Sequence, residues 1–384
     1  MKRGCTQCGE CLNVCPVFAL FKREEYAPKG KRLLMEPLDG WGSEEPMPWK
    51  TIRDLSRLCA GCERCKKACA RKLSTSDLLA EVRASHPHWS QYIWDIWIRR
   101  AGPLWPTAGR LAAMFPEALT PEALQSSLET ARAMVDNNEP QTWFTLRPDP
   151  DWQVPTRPVV VFGGCTARNI RPQWIHKANA LLKAWGYQVI DKADFTCCGG
   201  TLHHAGMFKT QAEVQKRNVE RWKALGKPIL AVFCASCKHS LEGYADQEGL
   251  LDADDATLWR ASVKGLSALL EKAVIRTLPA APSLPGYHQP CHWGDKDPDW
   301  PFLQRALPGL TKGTALCCGM GGILKMSDPD ISAQLGKKCL AGFPAACHNI
   351  VTGCSGCTMQ LASVAPEGVS VRHWLDIVEV EPGL

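Results

Sequence analysis

The sequence predicts a chain of mixed class, α+β and α/β, in which a mainly helical N-terminal domain precedes two tandem α/β repeats. Three observations carry this. Eight cysteines crowd the first 69 residues at short, regular spacing, and a five-cysteine pattern occurs twice in the second half. Between residues 158 and 352, short apolar runs alternate with helical periodicities, the rhythm of a parallel sheet covered by helices. The expected domains are residues 1–80, a helical connector and linker over 81–155, and the two repeats over 156–280 and 281–384.

In the N-terminal domain, Cys5, Cys8, Cys11 and Cys15 with Pro16 read C-x2-C-x2-C-x3-C-P. Cys59, Cys62, Cys65 and Cys69 repeat the spacing without the proline. This is the spacing of two-cluster bacterial ferredoxins, where the fourth cysteine of each run serves the other cluster. Cys5, Cys8, Cys11 and Cys69 are therefore expected to hold one cubane [4Fe-4S] cluster, and Cys59, Cys62, Cys65 and Cys15 the second. Zinc is the alternative, but its structural sites pair two Cys-x-x-Cys elements. Between the runs, the basic segment from Ala27 to Arg32 is expected to be a solvated loop, with a docking surface as the other reading. Arg71 and Lys72 follow the second run, and positive charge there favours the reduced form of the nearby cluster.

Residues 76–135 carry no metal ligand and read as helical, with Leu78, Leu79, Val82, Leu111, Met114, Phe115, Leu124 and Leu128 at helical spacings. The segment from Trp89 to Ile98, with Trp105 beyond it, is dense in aromatics. Core packing is one reading and a patch for a partner or a membrane surface is the other, with Trp94 and Trp97 as candidate docking residues. The Pro-, Asp- and Asn-rich stretch from Asn137 to Pro158 reads as a linker.

In the first repeat, a strand from Pro158 to Phe162 leads to Cys165. A helix over 173–185 and a strand from Tyr187 to Ile190 precede Cys197 and Cys198. A helix over 208–225 and a strand from Ile229 to Phe233 then lead to Cys234 and Cys237. The second copy has Cys291, Cys317, Cys318, Cys354 and Cys357, with a strand from His348 to Thr352. Its last four cysteines lie 120 residues after their counterparts, and its lead cysteine lies 126 residues after. Adjacent cysteines aim two sulfurs at one centre only from a turn, which Gly199 and Gly319 permit. Five soft ligands are one more than a zinc site or a cubane cluster uses.

With Tyr287 to His292 around the second lead cysteine and Thr352-Gly353-Cys354 at its close, this pattern resembles the CCG-domain family. That family includes two of the subunits of heterodisulfide reductase and the iron-sulfur subunits of anaerobic glycerol-3-phosphate and glycolate dehydrogenases. The resemblance implies a non-cubane [4Fe-4S] cluster on a five-cysteine set, a type of cluster that can split disulfides. One or two such clusters are expected, because 31 residues separate Cys165 from Cys197 but only 25 separate Cys291 from Cys317. The implied function is an iron-sulfur electron-transfer subunit of a heterodisulfide-reductase-like oxidoreductase complex, passing electrons between the cubane and non-cubane clusters. The alternative is a catalytic subunit that reduces or forms a disulfide, with Cys198 and Cys318 as candidate catalytic residues. The implied partners are a membrane cytochrome b or quinone-reactive subunit, or a cytochrome or flavoprotein dehydrogenase. The expected place is cytoplasmic, on the cytoplasmic face of the membrane through a partner subunit.

Other classes are disfavoured. The net charge of +6 is spread along the chain, unlike a nucleic-acid footprint. No stretch approaches the roughly 18–20 apolar residues of a membrane span. Neither a G-x-G-x-x-G dinucleotide fingerprint nor a C-x-x-C-H haem motif occurs. His203, His204, His239, His288 and His292 lie near the cysteines and are expected to hydrogen-bond around the sites and not to ligate. Cys339 and Cys347 are left over and read as buried small apolar residues.

Overall fold

The computed structural model describes residues 4–35, 48–115, 125–135, 141–314 and 317–381. Leu124 and residues 137–140 lie outside these. Ten strands occur among the described residues: β1 (Phe144–Pro148), β2 (Val159–Phe162), β3 (Ile229–Val232), β4 (Val263–Gly265), β5 (Ala273–Thr277), β6 (Pro285–His288), β7 (Thr311–Lys312), β8 (Asn349–Thr352), β9 (Ser370–His373) and β10 (Val378–Val380).

Each repeat is a small parallel sheet. The first has the order β2-β3-β4 and the second β7-β6-β8-β9. Apolar runs such as Val159–Phe162 are buried on both faces, as helix-covered parallel strands must be. The strand expected from Tyr187 to Ile190 is reduced to a single bridge between Val159 and Val189. The charged Asp191, Lys192 and Asp194 follow at once, and Lys183 pairs with Asp191 at 2.9 Å, which holds this edge at the surface.

The linker expected from Asn137 to Pro158 is in part a strand. Trp143, Phe144 and Leu146 are fully buried, and β1 joins a third sheet of order β10-β1-β5. β1 runs parallel to β10 and antiparallel to β5. That sheet ties the segment before the first repeat, the segment after it and the C-terminal strand into one body. The turn residues of Asp149–Trp152 disguised an apolar segment, Trp143 to Leu146, just before them.

The basic segment between the cysteine runs is not a solvated loop. Pro28–Met35 is a helix, started by a proline whose missing amide costs nothing there. Ala27, Pro28, Lys31 and Arg32 are buried. The Lys31 amine donates to the Leu58 carbonyl and the Arg32 guanidinium to that of Ser74.

The connector is helical over Thr75–Ser85, Trp89–Arg99, Ala101–Met114 and Gln125–Arg132. The core reading fails for Trp89–Arg99, which has no buried residue, and holds for Trp105, which is buried with Leu104 and Trp97 packed against its cluster. Trp89, Tyr92, Ile93 and Ile96 share one exposed face, Trp89 at 65 % and Tyr92 at 72 %. Trp94 and Trp97 are only half-exposed, and Trp97 packs against Trp105 with ring centroids 6.1 Å apart. No helix among the described residues is long and apolar enough to cross a membrane.

The N-terminal domain is held against both repeats. Asp77 pairs with His203 at 3.1 Å, and Glu63 lies 3.4 Å from His239. Lys338 donates to the Ala19 carbonyl at 2.9 Å, and the Arg57 guanidinium donates to the carbonyl of Ser327.

Candidate metal centres

The lead and closing cysteines stand just beyond the carboxyl ends of parallel strands, where such sheets leave their crevices. Cys165 follows β2 and Cys234 follows β3, as Cys291 follows β6 and Cys354 follows β8. The Cys-Cys pairs sit on turns closed by Gly199 at φ +79° and Gly319 at φ +86°. Their amides donate to Cys197 Sγ at 3.3 Å and to Cys317 Sγ at 3.4 Å.

In the first site, Cys197 touches Cys165 and Cys198, Cys198 touches Cys237, and Cys237 touches Cys234. All five sulfurs thus form one group. In the second, Cys291 touches Cys317, Cys317 touches Cys318, Cys318 lies 3.2 Å from Cys357, and Cys357 touches Cys354. The shorter lead loop therefore still brings Cys291 to the pair. Bonds from Cys197 and Cys237 hold the Cys198 thiol well below its ordinary value, while bonds to Cys165 and Cys198, then burial, push Cys197 well up. Cys318 is held down in the same way by Cys317 and Cys357.

The sites touch. Cys234 Sγ lies 3.9 Å from Cys354 Sγ, with Ser236 Oγ 3.3 Å from the former and 3.5 Å from the latter. On the other side of the second site, Cys62 of the N-terminal domain meets Cys317 in one buried cluster.

In the N-terminal domain, Cys15, Cys59, Cys62 and Cys65 line a cavity of 30 Å³, together with Lys31. Cys5, Cys8, Cys11 and Cys69 line another of 70 Å³, which Cys65, Arg32 and Arg71 also reach. Burial pushes the Cys15 and Cys65 thiols up to about 12. Burial also disfavours the charge on Lys31, and the groups that favour it are the thiols Cys59, Cys15 and Cys65. A buried ammonium among thiols makes physical sense when those sulfurs carry the negative charge of cluster ligands.

Further buried polar atoms lack a partner among the described residues beside the paired sites: Lys325 Nζ, His288 Nε2 and Ser355 Oγ. Five soft donors in each group, with unpaired donors around them, fit an iron-sulfur cluster. When bound, such clusters supply one-electron storage and transfer.

A cavity of 370 Å³ opens on the first site. Cys165, Cys197, Cys198, Cys234 and Cys237 all line it, with Trp97, Trp105, Met320, Met359 and Lys325. Both Cys198 and Cys318 are buried, but only Cys198 is part of that lining. Burial lowers Lys325 to about 8. An electron relay is expected to have both sites covered by protein, and the first site departs from this. Lys31, Lys325 and the cavity-lining methionines were missed by sequence reasoning. Lys325, in the apolar run from Ile323 to Met326, was the readable signal.

All five histidines have hydrogen-bond or ring partners. His203 is bonded to Asp77 and rings with His204, while His292 Nε2 lies 3.0 Å from the Gly61 carbonyl oxygen and stacks on His239 at 4.6 Å. Burial lowers His292 to about 4 and His204 to about 3, so both are neutral at neutral pH. The fifth, His288, is buried with Nδ1 3.3 Å from Cys339 Sγ. Cys339 and Cys347 are buried as expected.

Comparison with known proteins agrees with this layout. Residues 159–242 and 286–362 match the cysteine-rich domain designated CCG, and residues 2–73 match the 4Fe-4S dicluster domain. The chain is 24 % identical over 400 residues to the glycolate oxidase iron-sulfur subunit of Escherichia coli, covering 98 % of this chain and 93 % of that protein. It is 24 % identical over 362 residues to the D subunit of dihydromethanophenazine:CoB–CoM heterodisulfide reductase from Methanosarcina acetivorans, covering 87 % and 81 %. It is also similar to the B subunit of fumarate reductase (CoM/CoB) from Methanothermobacter marburgensis, 23 % identical over 392 residues, covering 98 % and 71 %.

Proposed function

We propose that this member of the CCG-domain iron-sulfur oxidoreductase family is the electron-transfer subunit of a larger oxidoreductase complex. In this reading electrons pass in series between the N-terminal clusters, the second repeat and the first repeat. The observation that carries it is the pair of sulfur contacts, Cys62 to Cys317 and Cys354 to Cys234, which join the N-terminal domain to the second site and the second site to the first. Cys5, Cys8, Cys11 and Cys69 would hold the outer cubane, and Cys59, Cys62, Cys65 and Cys15 the inner one. The two five-cysteine groups would each hold a non-cubane cluster. The exposed face of Trp89, Tyr92, Ile93 and Ile96 is the surface offered to a partner, such as a cytochrome or flavoprotein dehydrogenase or a membrane quinone-reactive subunit. Trp97, which lines the cavity, belongs to the site and not to this surface.

The cavity favours a second reading, in which redox chemistry on a small disulfide or thiol takes place at the first site. Reduction of a disulfide takes two electrons and two protons and yields two thiols. Electrons arriving singly through the second site suit that stoichiometry. Lys325 offers a positive charge to an anionic group, and His239 and His292 line the same cavity.

Series transfer is tested by reducing the whole chain anaerobically and adding a small disulfide. In Cys317→Ser, the cubanes should stay reduced long after those of the unaltered protein have been reoxidised. Cubane reoxidation at the unaltered rate in that variant would break the series.

A further inference from the structure

The two repeats place different residues on the same strand pair beside their metal centres. In the first, Phe162 on β2 is opposite Val232 on β3; in the second, the same register sets His288 on β6 opposite Thr352 on β8. Phe162 and His288 each stand three residues before the lead cysteine. The neighbouring helix changes in step. Val219 in Phe208–Ala224 is matched by Cys339 in Pro329–Leu340, at the same 120-residue offset as the closing cysteines. An apolar set in one repeat is thus replaced by a polar set in the other, and all six residues are buried.

The polar set is only partly satisfied. The Thr352 hydroxyl donates to the His288 carbonyl oxygen at 2.9 Å, and Cys339 Sγ lies 3.3 Å from His288 Nδ1. His288 is 3 % exposed, and its Nε2 has no partner among the described residues. A ring nitrogen of His288 and the sulfurs of Cys318 and Cys357 lie within 4.8 Å of one another. With Nδ1 taken up by Cys339, Nε2 is the nitrogen left for those sulfurs. A buried thiol serves an imidazole nitrogen as a donor, and Nδ1 accepting from the Cys339 S–H places the ring proton on Nε2. Leaving that N–H unpaired in the interior is unfavourable, and a sulfur acceptor removes the penalty.

We propose that His288 donates its Nε2–H to a sulfur of the cluster at the second site, on the Cys318 and Cys357 side, and so sets that site at a higher potential than the first. This rests on the reading that the second site holds a cluster. A hydrogen bond to a cluster sulfur withdraws electron density and favours the reduced form. The first site has Phe162 at the matching place and gains nothing of the kind. His288 is a positioning residue that is not part of the cavity lining.

The test uses the full chain, loaded anaerobically, with iron counted before any spectrum is taken. A chain whose second site takes no iron overturns the underlying reading and the proposal with it. In a loaded chain whose histidines carry nitrogen-15, the reduced second site should show a weak nitrogen coupling together with a proton coupling that disappears in heavy water. A strong, directly bonded nitrogen coupling would show ligation and overturn the donor role, as would the absence of both signals. His288→Phe, which installs the first repeat's residue, should keep its iron, lose the exchangeable proton and shift the second site to lower potential. His288→Gln, with an amide N–H in reach, should recover part of the shift. An unchanged potential and proton coupling in His288→Phe would also overturn the proposal. Should His288→Phe lose iron at the second site, the couplings of the unaltered protein decide alone.

Discussion

The two repeats share one plan and differ in what surrounds it. Both have a lead cysteine beyond one strand, a Cys-Cys turn closed by a left-handed glycine, and a closing Cys-x-x-Cys beyond the neighbouring strand. The first opens on a cavity of 370 Å³, whereas the second is pressed between Cys62 of the N-terminal domain and Cys234 of the first. In the proposed series, the same five-cysteine frame serves as an end of the electron path in one repeat and as a step within it in the other. Position in the fold decides which.

Matched substitutions sharpen this contrast most. Cys198→Ser and Cys318→Ser should each lower iron content by up to about four atoms per chain, one cluster. Their reactivity should diverge. Cys198→Ser should abolish thiol release from an added small disulfide, while Cys318→Ser should leave the first site reactive for its stored electrons and slow only its refilling. Stopped-flow bleaching with thiol titration measures both, and equal loss in the two variants would break the contrast.

A smaller effect is expected at the turns. Gly199→Ala and Gly319→Ala each force a side chain into the left-handed region, at about 1–2 kcal/mol. A Cβ on Gly319 would also come within 2.6 Å of the Ser332 carbonyl oxygen, whereas one on Gly199 meets the flexible Gln211 side chain at 3.3 Å. Denaturant unfolding of the variants should therefore rank Gly319→Ala as the more destabilised. The reverse order would mean that the second turn relaxes more easily than its packing indicates.

The smallest effect concerns docking. The N-terminal domain meets the first repeat partly through the titrating pair Asp77 and His203, and the second through carbonyl acceptors that do not titrate. Burial opposes charge on Asp77, but the bond from His203 prevails and lowers it to about 2 from 3.8. Burial likewise pulls His203 down, and its bond to Asp77 raises it above 6.5 on balance. The pair's contribution is complete between about pH 4 and 6.5. It is lost as pH falls toward 2, and lost again as pH rises through the raised histidine value. Both side chains are partly exposed, so Asp77→Asn should cost only about 0.5–1 kcal/mol at pH 6 and less at pH 9, read from unfolding midpoints.

Much of this architecture was legible in the sequence because cysteine spacing records the ends of strands. The strands at 159–162, 229–232 and 349–352 and the helices at 172–184 and 208–224 follow from apolar periodicity next to those cysteines. What escaped depends on tertiary context. β1 lies beside a Pro- and Asp-rich turn and finds its partners only at β5 and β10, more than 100 residues away. Lys31 looks like a solvated charge until the helix that carries it is seen to cross behind the second cysteine run. The aromatic helix has the composition of a core element, yet its exposed face shows only once the helix is placed on the body. The contacts between Cys62 and Cys317 and between Cys234 and Cys354 join distant segments, and no local pattern announces them.

Four clusters are proposed for the chain, two in the N-terminal domain and one in each repeat. The most direct measurement is the iron content of the anaerobically prepared full chain, with zinc determined in the same sample. About 16 irons per chain and little zinc are expected, four irons to each cluster. About eight irons, with both five-cysteine groups empty, would contradict the proposal.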